Sequence, residues 1–196
     1  KKVKHLYLGI ESGLDDVLKF MKKDHDLAQA YQAIDRLHGA GLIYDAHIMT
    51  GVAGKGRGME NAEALAQFLN RTNPAHVVNF SMFLHKEVPL YQDIRQGTFV
   101  PADELETIRE EYHLIERIAP EKAGANILYD GFHDFIHVRV RGHLPGDKEK
   151  MLAKLNGIIQ EYEGKEPVYS FVQGECPDLE YCDDGKAVWD MDRKTS

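Results

Sequence analysis

The stretch LYLGIESG, residues 6–13, gives the first indication of the fold class. A run of apolar residues, typical of a buried strand, ends directly in a glutamate, a serine and a glycine. In α/β folds with parallel strands, ligands bind at the carboxyl ends of the strands. We therefore expect the Glu11 carboxylate to face a binding crevice at the end of the first strand. A simpler role, as an acid stabilised by the dipole of the following helix, would also explain its position.

The composition is that of one acidic domain, or of one domain with a small appendage. The chain has 196 residues, 43% of them hydrophobic, and a formal net charge of −8. This charge provides no general attraction to nucleic acid or to an anionic membrane, although a local basic groove would still permit nucleic acid to bind. No apolar run is long enough to span a bilayer, and no secretion signal is recognisable. We expect a cytoplasmic protein that does not bind membranes.

Strand and helix patterns alternate over residues 1–120. This alternation predicts parallel βα units, which belong either to a TIM-like barrel or to an open doubly wound sheet. Ser12 is expected to cap the first helix, with Asp15 completing a pattern similar to a capping box. The three predicted strands cover residues 3–10, 42–50 and 75–84.

The chain changes character after Pro120. Before it, an irregular segment at 85–101 leads to a charged helix at 102–118, whose apolar residues Leu105, Ile108, Tyr112 and Ile115 are expected to face inward. After it, residues 121–196 are predicted to form a small α+β extension. The extension would contain one or two short strands within 122–143, an amphipathic helix at 147–162 and a polar tail.

The glycine-rich loop GVAGKGRG, residues 51–58, does not match a phosphate-binding motif. A P-loop would need glycine at the position of Met49 and serine or threonine after Lys55. Two explanations stay open for this loop. It is either a strand-to-helix turn that needs positive φ angles or a backbone contact to a ligand.

Histidines and cysteines offer only weak indications of a metal site. His133 and His137 are four residues apart, but the alternation that follows them is typical of a strand, on which such residues lie far from each other. Ordinary histidines are therefore favoured over metal ligands. Cys176 and Cys182 lack the spacing of a zinc knuckle and are expected to be solvated thiols.

Four stretches, in this order, resemble the second half of the radical S-adenosylmethionine (SAM) enzymes. They are YLGIESGLDDVLKFMKKDH, AIDRLHGAGLIYDAHIMTGVAGKG, NRTNPAHVVNFSMFL and VPLYQDIRQGTFVPADELETIREEYHLIERI. The likeness is greatest to the branch that contains oxygen-independent coproporphyrinogen oxidases and tRNA-modifying enzymes. It implies an α/β fold in which this chain holds the last three βα units of a (β/α)6 barrel, followed by the C-terminal extension.

The resemblance also implies a SAM site at the carboxyl ends of these strands. Glu11 and Ser12 match a polar pair that faces the ribose and methionine parts of SAM, and Lys23 matches a basic position that pairs with the SAM carboxylate. His47 stands where the family has an aspartate or an apolar residue. The implied site is completed by His47 and Gly51 beside the ribose and by Ser81, Met82 and Phe83 against the adenine.

The family's CxxxCxxC loop, which binds a [4Fe-4S] cluster, is absent from this sequence. Either an N-terminal half that holds the cluster ligands is missing from this chain, or the chain is a degenerate relative; we expect the former. The resemblance then implies an enzyme that cleaves SAM to a 5′-deoxyadenosyl radical acting on an unknown substrate. Alone, the chain is expected to be catalytically inert and to bind that half or to self-associate. Two alternatives are a non-catalytic partner-binding half barrel and a barrel hydrolase or aldolase with a base among Glu11, His47 and His85.

Overall fold

A five-stranded sheet forms the centre of the molecule. The structure, a computed structural model, describes residues 3–171 and two short segments at 182–183 and 186–187. The first four strands run parallel, and the fifth pairs with the fourth in the antiparallel direction. In spatial and chain order the strands are β1 (His5–Glu11), β2 (Ile43–Thr50), β3 (His76–Ser81), β4 (Ile127–His133) and β5 (Val138–Leu144).

The α/β class and the three predicted strands are confirmed, but the sheet is larger than expected. Residues 127–133 form a fourth parallel strand of full length, where the sequence predicted only short strands in an extension. This strand was difficult to recognise because Asp130 and Gly131, both unfavourable for strands, interrupt its apolar pattern. The sheet continues across the boundary proposed at residue 120, and the division into two domains stays a prediction.

Six α-helices accompany the sheet. The segment at 85–101 was predicted to be irregular, but it contains helix α4, so this prediction is wrong. Pro89 occupies the first turn of α4, where proline favours helix initiation. Helix α1 begins after Leu14 and has no side-chain cap, so the prediction that Ser12 caps it is wrong. The helices are α1 (Asp15–Phe20), α2 (Leu27–Gly39), α3 (Gly58–Thr72), α4 (Pro89–Arg95), α5 (Glu104–Arg117) and α6 (Lys148–Tyr162).

The tail predicted to be irregular contains a two-stranded ladder, β6 (Cys182–Asp183) with β7 (Lys186–Ala187). The side chains of Cys176 and Cys182 lie outside the described residues, so the prediction of solvated thiols is not tested. None of the described helices is long and apolar enough to cross a bilayer.

The long helices α2, α3, α5 and α6 pack on one face of the sheet and form the main apolar core with it. Side chains of alternate strand residues point to the opposite face. We call this second surface the open face. It is formed by His5, Tyr7, Gly9, Asp45, His47, Met49, His76, Val78, Phe80, Leu128, Asp130, Phe132, Arg139, Arg141 and His143.

Candidate functional site

Strand β1 ends in a charged pair. The register between β1 and β2 shifts between Gly9 and Glu11, and Glu11 has a positive φ of 61°. Lys23 Nζ donates to Glu11 Oε1 at 3.1 Å, and both side chains are only partly exposed, 30% for the lysine and 24% for the glutamate. A Cβ atom on Gly9 would lie 2.7 Å from Glu11 Oε1. The bulge and the missing side chain therefore let the pair fold back over the strand end.

Ser12 belongs to the interior, not to the crevice. Its hydroxyl donates to Asn61 Oδ1 at 2.6 Å and accepts from the Leu14 amide at 3.1 Å. The residue is completely buried. Ser12 thus fastens the turn after β1 to helix α3.

The glycine-rich loop after β2 is a strand-to-helix turn held by helix α5. Gly51, Gly54 and Gly56 all have positive φ angles, as the first of the two explanations for this loop requires; a ligand contact stays a prediction. The Gly51 amide donates to Glu110 Oε2 at 2.8 Å, and a Cβ on Gly51 would lie 2.7 Å from the Thr107 methyl group. The start of the loop is held by helix α5.

Ser81, Met82 and Phe83 lie at the end of β3, and their side chains differ in contacts and exposure. Ser81 is buried, and its hydroxyl donates to Glu104 Oε1 at 2.9 Å. Met82 packs into a second apolar cluster, and its amide donates to the Thr50 carbonyl at 2.9 Å. Phe83, in contrast, is 54% exposed. Of these three side chains, only that of Phe83 is accessible.

The second apolar cluster lies among the loops that follow the strands. Its members come from α1, from the loops after β2 and β3, from α4 and the segment after it, and from residues 169–171. The buried members are Val17, Val52, Ala53, Met82, Leu84, Ile94, Phe99, Tyr169 and Phe171.

Three glutamates of α5 lie beneath the strand ends with exposures of 2% or less: Glu104, Glu110 and Glu111. The Glu110 carboxylate also accepts from Asn61 Nδ2 at 2.7 Å. Burial, partly offset by these hydrogen bonds, raises the pKa of Glu110 to about 8. Through Asn61 and Gly51, Glu110 connects the ends of β1 and β2.

Glu104 and Glu111 hold the ends of β3 and β4. The completely buried His133 ring lies between them, with Nδ1 at 2.9 Å from Glu104 Oε2 and Nε2 at 3.0 Å from Glu111 Oε2. Although burial opposes it, bonding to the two carboxylates raises the pKa of His133 to about 10. The ring is therefore an imidazolium at neutral pH and donates from both nitrogens. Glu111 additionally accepts from Asn79 Nδ2 at 3.0 Å and from the Tyr129 hydroxyl at 2.9 Å.

A row of rings crosses the open face. The ring of His47, a predicted site residue, lies 5.0 Å from that of Tyr7 and 6.1 Å from that of Phe80. Phe80 stacks on Phe132 at 5.5 Å, and the Arg139 guanidinium lies 4.6 Å from the Phe132 ring centre. We call these five residues the ring row. They form a continuous wall from β1 to β5.

The structure assembles no metal centre within its described residues. Both ring nitrogens of His133 are hydrogen-bonded to buried carboxylates. His137 follows a 3₁₀ turn (Asp134–Ile136), and His143 lies on the open face, so the three histidines do not converge. A cavity of about 590 Å³ opens at the amino ends of the strands, away from the predicted site, and is lined in part by His38, Arg71 and Lys122.

The sequence prediction missed the glutamates of α5 and, on the open face, Asp45 and His76. A signal existed in α5: Glu104, Ile108, Glu111 and Ile115 recur at the spacing of one helix face. Two of the residues on that face are acidic, so the face was not recognised as buried. Asp45 and His76 gave no comparable signal in the sequence.

No protein-family model matches the sequence, and no curated protein matches it. Among solved structures, the chain is similar to the archaeal Methanocaldococcus infernus Elp3 with an N-terminal deletion (1–46). The TM-score is 0.58 at 18% sequence identity, and the match covers 81% of this chain and 36% of the Elp3 chain. At this identity the likeness shows the fold alone. The chain therefore has a fold similar to that of this Elp3 structure.

Proposed function

We propose that this chain is the C-terminal part of a radical SAM enzyme and that the carboxyl ends of its strands bind SAM. The observation that carries this proposal is the Glu11–Lys23 pair at the end of β1, in a fold that is radical SAM-like. The cluster would be held elsewhere, since residues 3–171 contain no cysteine. When bound, SAM would supply the radical that abstracts hydrogen from the substrate.

The chemistry of the pair fits the methionine and ribose parts of SAM. SAM has a carboxylate, which needs a cation, and an amino group and hydroxyls, which need acceptors. Lys23 Nζ would pair with the carboxylate, and Glu11 would accept from the amino group or a hydroxyl. Since both side chains are partly exposed and bonded to each other, they are positioned in advance and remain accessible.

The other predicted contacts divide into direct and supporting roles. We propose that His47 and Phe83 contact the cofactor, because their side chains lie on the open face and on the surface respectively. Ser12, Gly51, Ser81 and Met82 would support the site from behind through their buried contacts.

The test is a titration of the chain with SAM. Binding is monitored by saturation-transfer NMR, because this method detects the weak binding that we expect. Lys23→Met should weaken SAM binding about tenfold through loss of a charge-assisted bond. Lys19→Met, an exposed lysine of α1, is the matched control and should leave binding unchanged. If wild-type chain does not bind SAM, or if Lys23→Met binds it equally well, the proposal is wrong.

The free edge of β1 favours a second candidate function, a module that docks a partner. Within the described part of the chain, strand β1 pairs only with β2, so its other edge offers unpaired backbone groups to a further strand. We propose that an upstream segment occupies this edge in the enzyme. In the purely docking alternative, Glu11→Ala would leave SAM binding unchanged. Light scattering would reveal a dimer if a second copy occupied the edge.

A further inference from the structure

The open face contains a buried acceptor without a partner. Asp45 is 3% exposed, and its Oδ2 lies 3.2 Å from His5 Nδ1. Its other oxygen, Oδ1, is buried and has no hydrogen-bond partner in the described part of the chain. Leaving such an acceptor unsatisfied is costly, and most buried acceptors in folded proteins are paired. Asp45 Oδ1 therefore requires a donor that these residues do not provide.

A second unpaired atom lies directly beside it. Ala46 pairs with Val77 in the ladder, which places Asp45 opposite His76 on the neighbouring strand, about 5 Å away. His76 Nδ1 lies 3.2 Å from the Tyr7 hydroxyl, whereas the buried Nε2 has no partner among the described residues. Burial lowers the pKa of His76, so its ring is neutral at neutral pH. Its Nε2 can then donate one hydrogen bond next to the oxygen that needs to accept one.

Asp130 is also a buried acid of the open face, but unlike Asp45 both of its oxygens have hydrogen-bond partners. Asp130 receives two hydrogen bonds from Arg139, at 2.8 and 2.6 Å, and Arg141 lies 3.6 Å from it. Its charge is therefore compensated within the chain. Among the described residues, Asp45 has no arginine partner and contacts only the His5 ring, through its other oxygen.

The Tyr7 end of the ring row borders these two atoms, whereas Phe80 lies four residues along β3 from His76, about 13 Å away. Tyr7 pairs with Asp45 in the ladder, contacts His76 and is 55% exposed. A flat molecule lying against Tyr7 and His47 would present its edge to Asp45 and His76. Rings favour stacked or edge-on contact with such a wall.

We propose that the open face binds a planar nitrogen heterocycle that carries an amino group, with the amino group donating to Asp45 Oδ1 and a ring nitrogen accepting from His76 Nε2. This inference rests on the proposed function, since such a molecule would be the substrate class of the enzyme. It concerns residues other than the Glu11–Lys23 pair, so the two proposals can fail separately.

Three small probes separate the requirements of the site. 2-Aminopyrimidine has both the ring and the donor, pyrimidine has the ring alone, and methylguanidine has the donor without the ring. Titrations followed by the ring signals of Tyr7, His47 and His76 should show 2-aminopyrimidine binding about tenfold more tightly than pyrimidine, since a site that bonds a donor rejects the analogue without it. Methylguanidine should bind more weakly than 2-aminopyrimidine.

Two variants with matched controls locate the binding. Asp45→Asn should remove the preference for 2-aminopyrimidine over pyrimidine, and Tyr7→Leu should weaken the binding of both rings severalfold. Asp35→Asn on the exposed side of α2 and Phe20→Leu on α1 should change neither. Thermal unfolding of each variant verifies that it is folded, and Tyr7→Leu provides a second, independent test of the site beside Asp45→Asn.

The proposal is overturned if the two pyrimidines bind equally, if neither shifts the ring signals, or if methylguanidine binds best and is insensitive to Tyr7→Leu. The last result would assign Asp45 to a basic side chain of an upstream segment. SAM binding that persists in Asp45→Asn, together with pyrimidine binding that persists in Lys23→Met, would show that the two sites are independent.

Discussion

The buried Glu110 carboxylate accepts a hydrogen bond from the Gly51 amide at 2.8 Å, so helix α5 fixes the turn at which β2 ends. The same carboxylate accepts from Asn61, whose own oxygen receives the Ser12 hydroxyl and the Gly13 amide. One side chain therefore sets the relative positions of two strand ends. Both ends belong to the proposed SAM site.

Glu110→Ala should lower the free energy of unfolding by about 1–3 kcal/mol, measured by urea denaturation at pH 7. The substitution removes the acceptor of the Gly51 amide and of Asn61 Nδ2 and leaves these two donors buried without it. Glu106→Ala is the matched control on the same helix. Glu106 also accepts from a loop amide, that of Gly56, but it is only partly buried, so its loss should cost less. Equal losses of unfolding free energy in the two variants would contradict the role of Glu110 as the buried acceptor for Gly51 and Asn61.

The imidazolium of His133 predicts a loss of stability at alkaline pH. Its pKa is raised from 6.5 to about 10 in the folded protein, so the native state binds the proton more tightly than the unfolded state. The resulting stabilisation is complete below pH 6.5 and is lost as the pH rises towards about 10. Unfolding free energies measured across this range should fall with pH in the wild type.

His133→Gln should remove this alkaline decrease and destabilise the protein by about 3–5 kcal/mol at neutral pH, because it leaves two buried carboxylates without their cation. His143→Gln is the control, since His143 is exposed on β5. The assignment fails if His133→Gln retains the wild-type pH dependence between 6.5 and 10.

The strands and long helices could be predicted because each depends on a local apolar period. The α5 helix, for example, was correctly placed from its apolar residues, and Ile108 and Ile115 are completely buried as expected. The same rule failed for Glu104, Glu110 and Glu111, because a charged residue is ordinarily assigned to the solvent. Their partners are distant in sequence: Glu110 is 59 residues from Gly51, and Glu104 is 29 residues from His133.

Ser12 illustrates the same limit within the candidate site. A serine three residues before an aspartate at a helix start is a regular capping signal, yet Ser12 bonds instead to Asn61 on another helix. Glu11 and Lys23 could be selected from the sequence, but their mutual bond depends on the bulge at Gly9, which has no signature in the residue types. Contacts between elements, which no local pattern encodes, decide both cases.

Gly131 provides the space that the Glu111 carboxylate occupies. A Cβ at this position would lie 1.8 Å from Glu111 Oε1, far inside contact distance. Gly131→Ala should therefore displace the carboxylate from His133 and lower the free energy of unfolding by at least about 3 kcal/mol. Gly157→Ala, in α6 where a Cβ would meet nothing within 4 Å, should instead stabilise the helix by about 0.5–1 kcal/mol. A mild effect of Gly131→Ala in denaturant titrations would show that Glu111 can shift without cost.

Gly51 and Gly56 separate backbone strain from steric contact in the glycine-rich loop. Both have a φ of +81°, so alanine at either position incurs the same left-handed strain, about 1–2 kcal/mol. Only at Gly51 would the added Cβ meet a neighbour, the Thr107 methyl at 2.7 Å, whereas at Gly56 it would point into open space. Gly51→Ala should therefore lower the free energy of unfolding by about 1–3 kcal/mol more than Gly56→Ala. Hydrogen exchange should report the same difference: the Gly51 substitution should release the position-51 amide from Glu110 and accelerate its exchange, whereas Gly56→Ala should leave it protected. Equal destabilisation by the two substitutions would mean that φ strain alone makes glycine necessary here, and that α5 does not hold the loop through this contact.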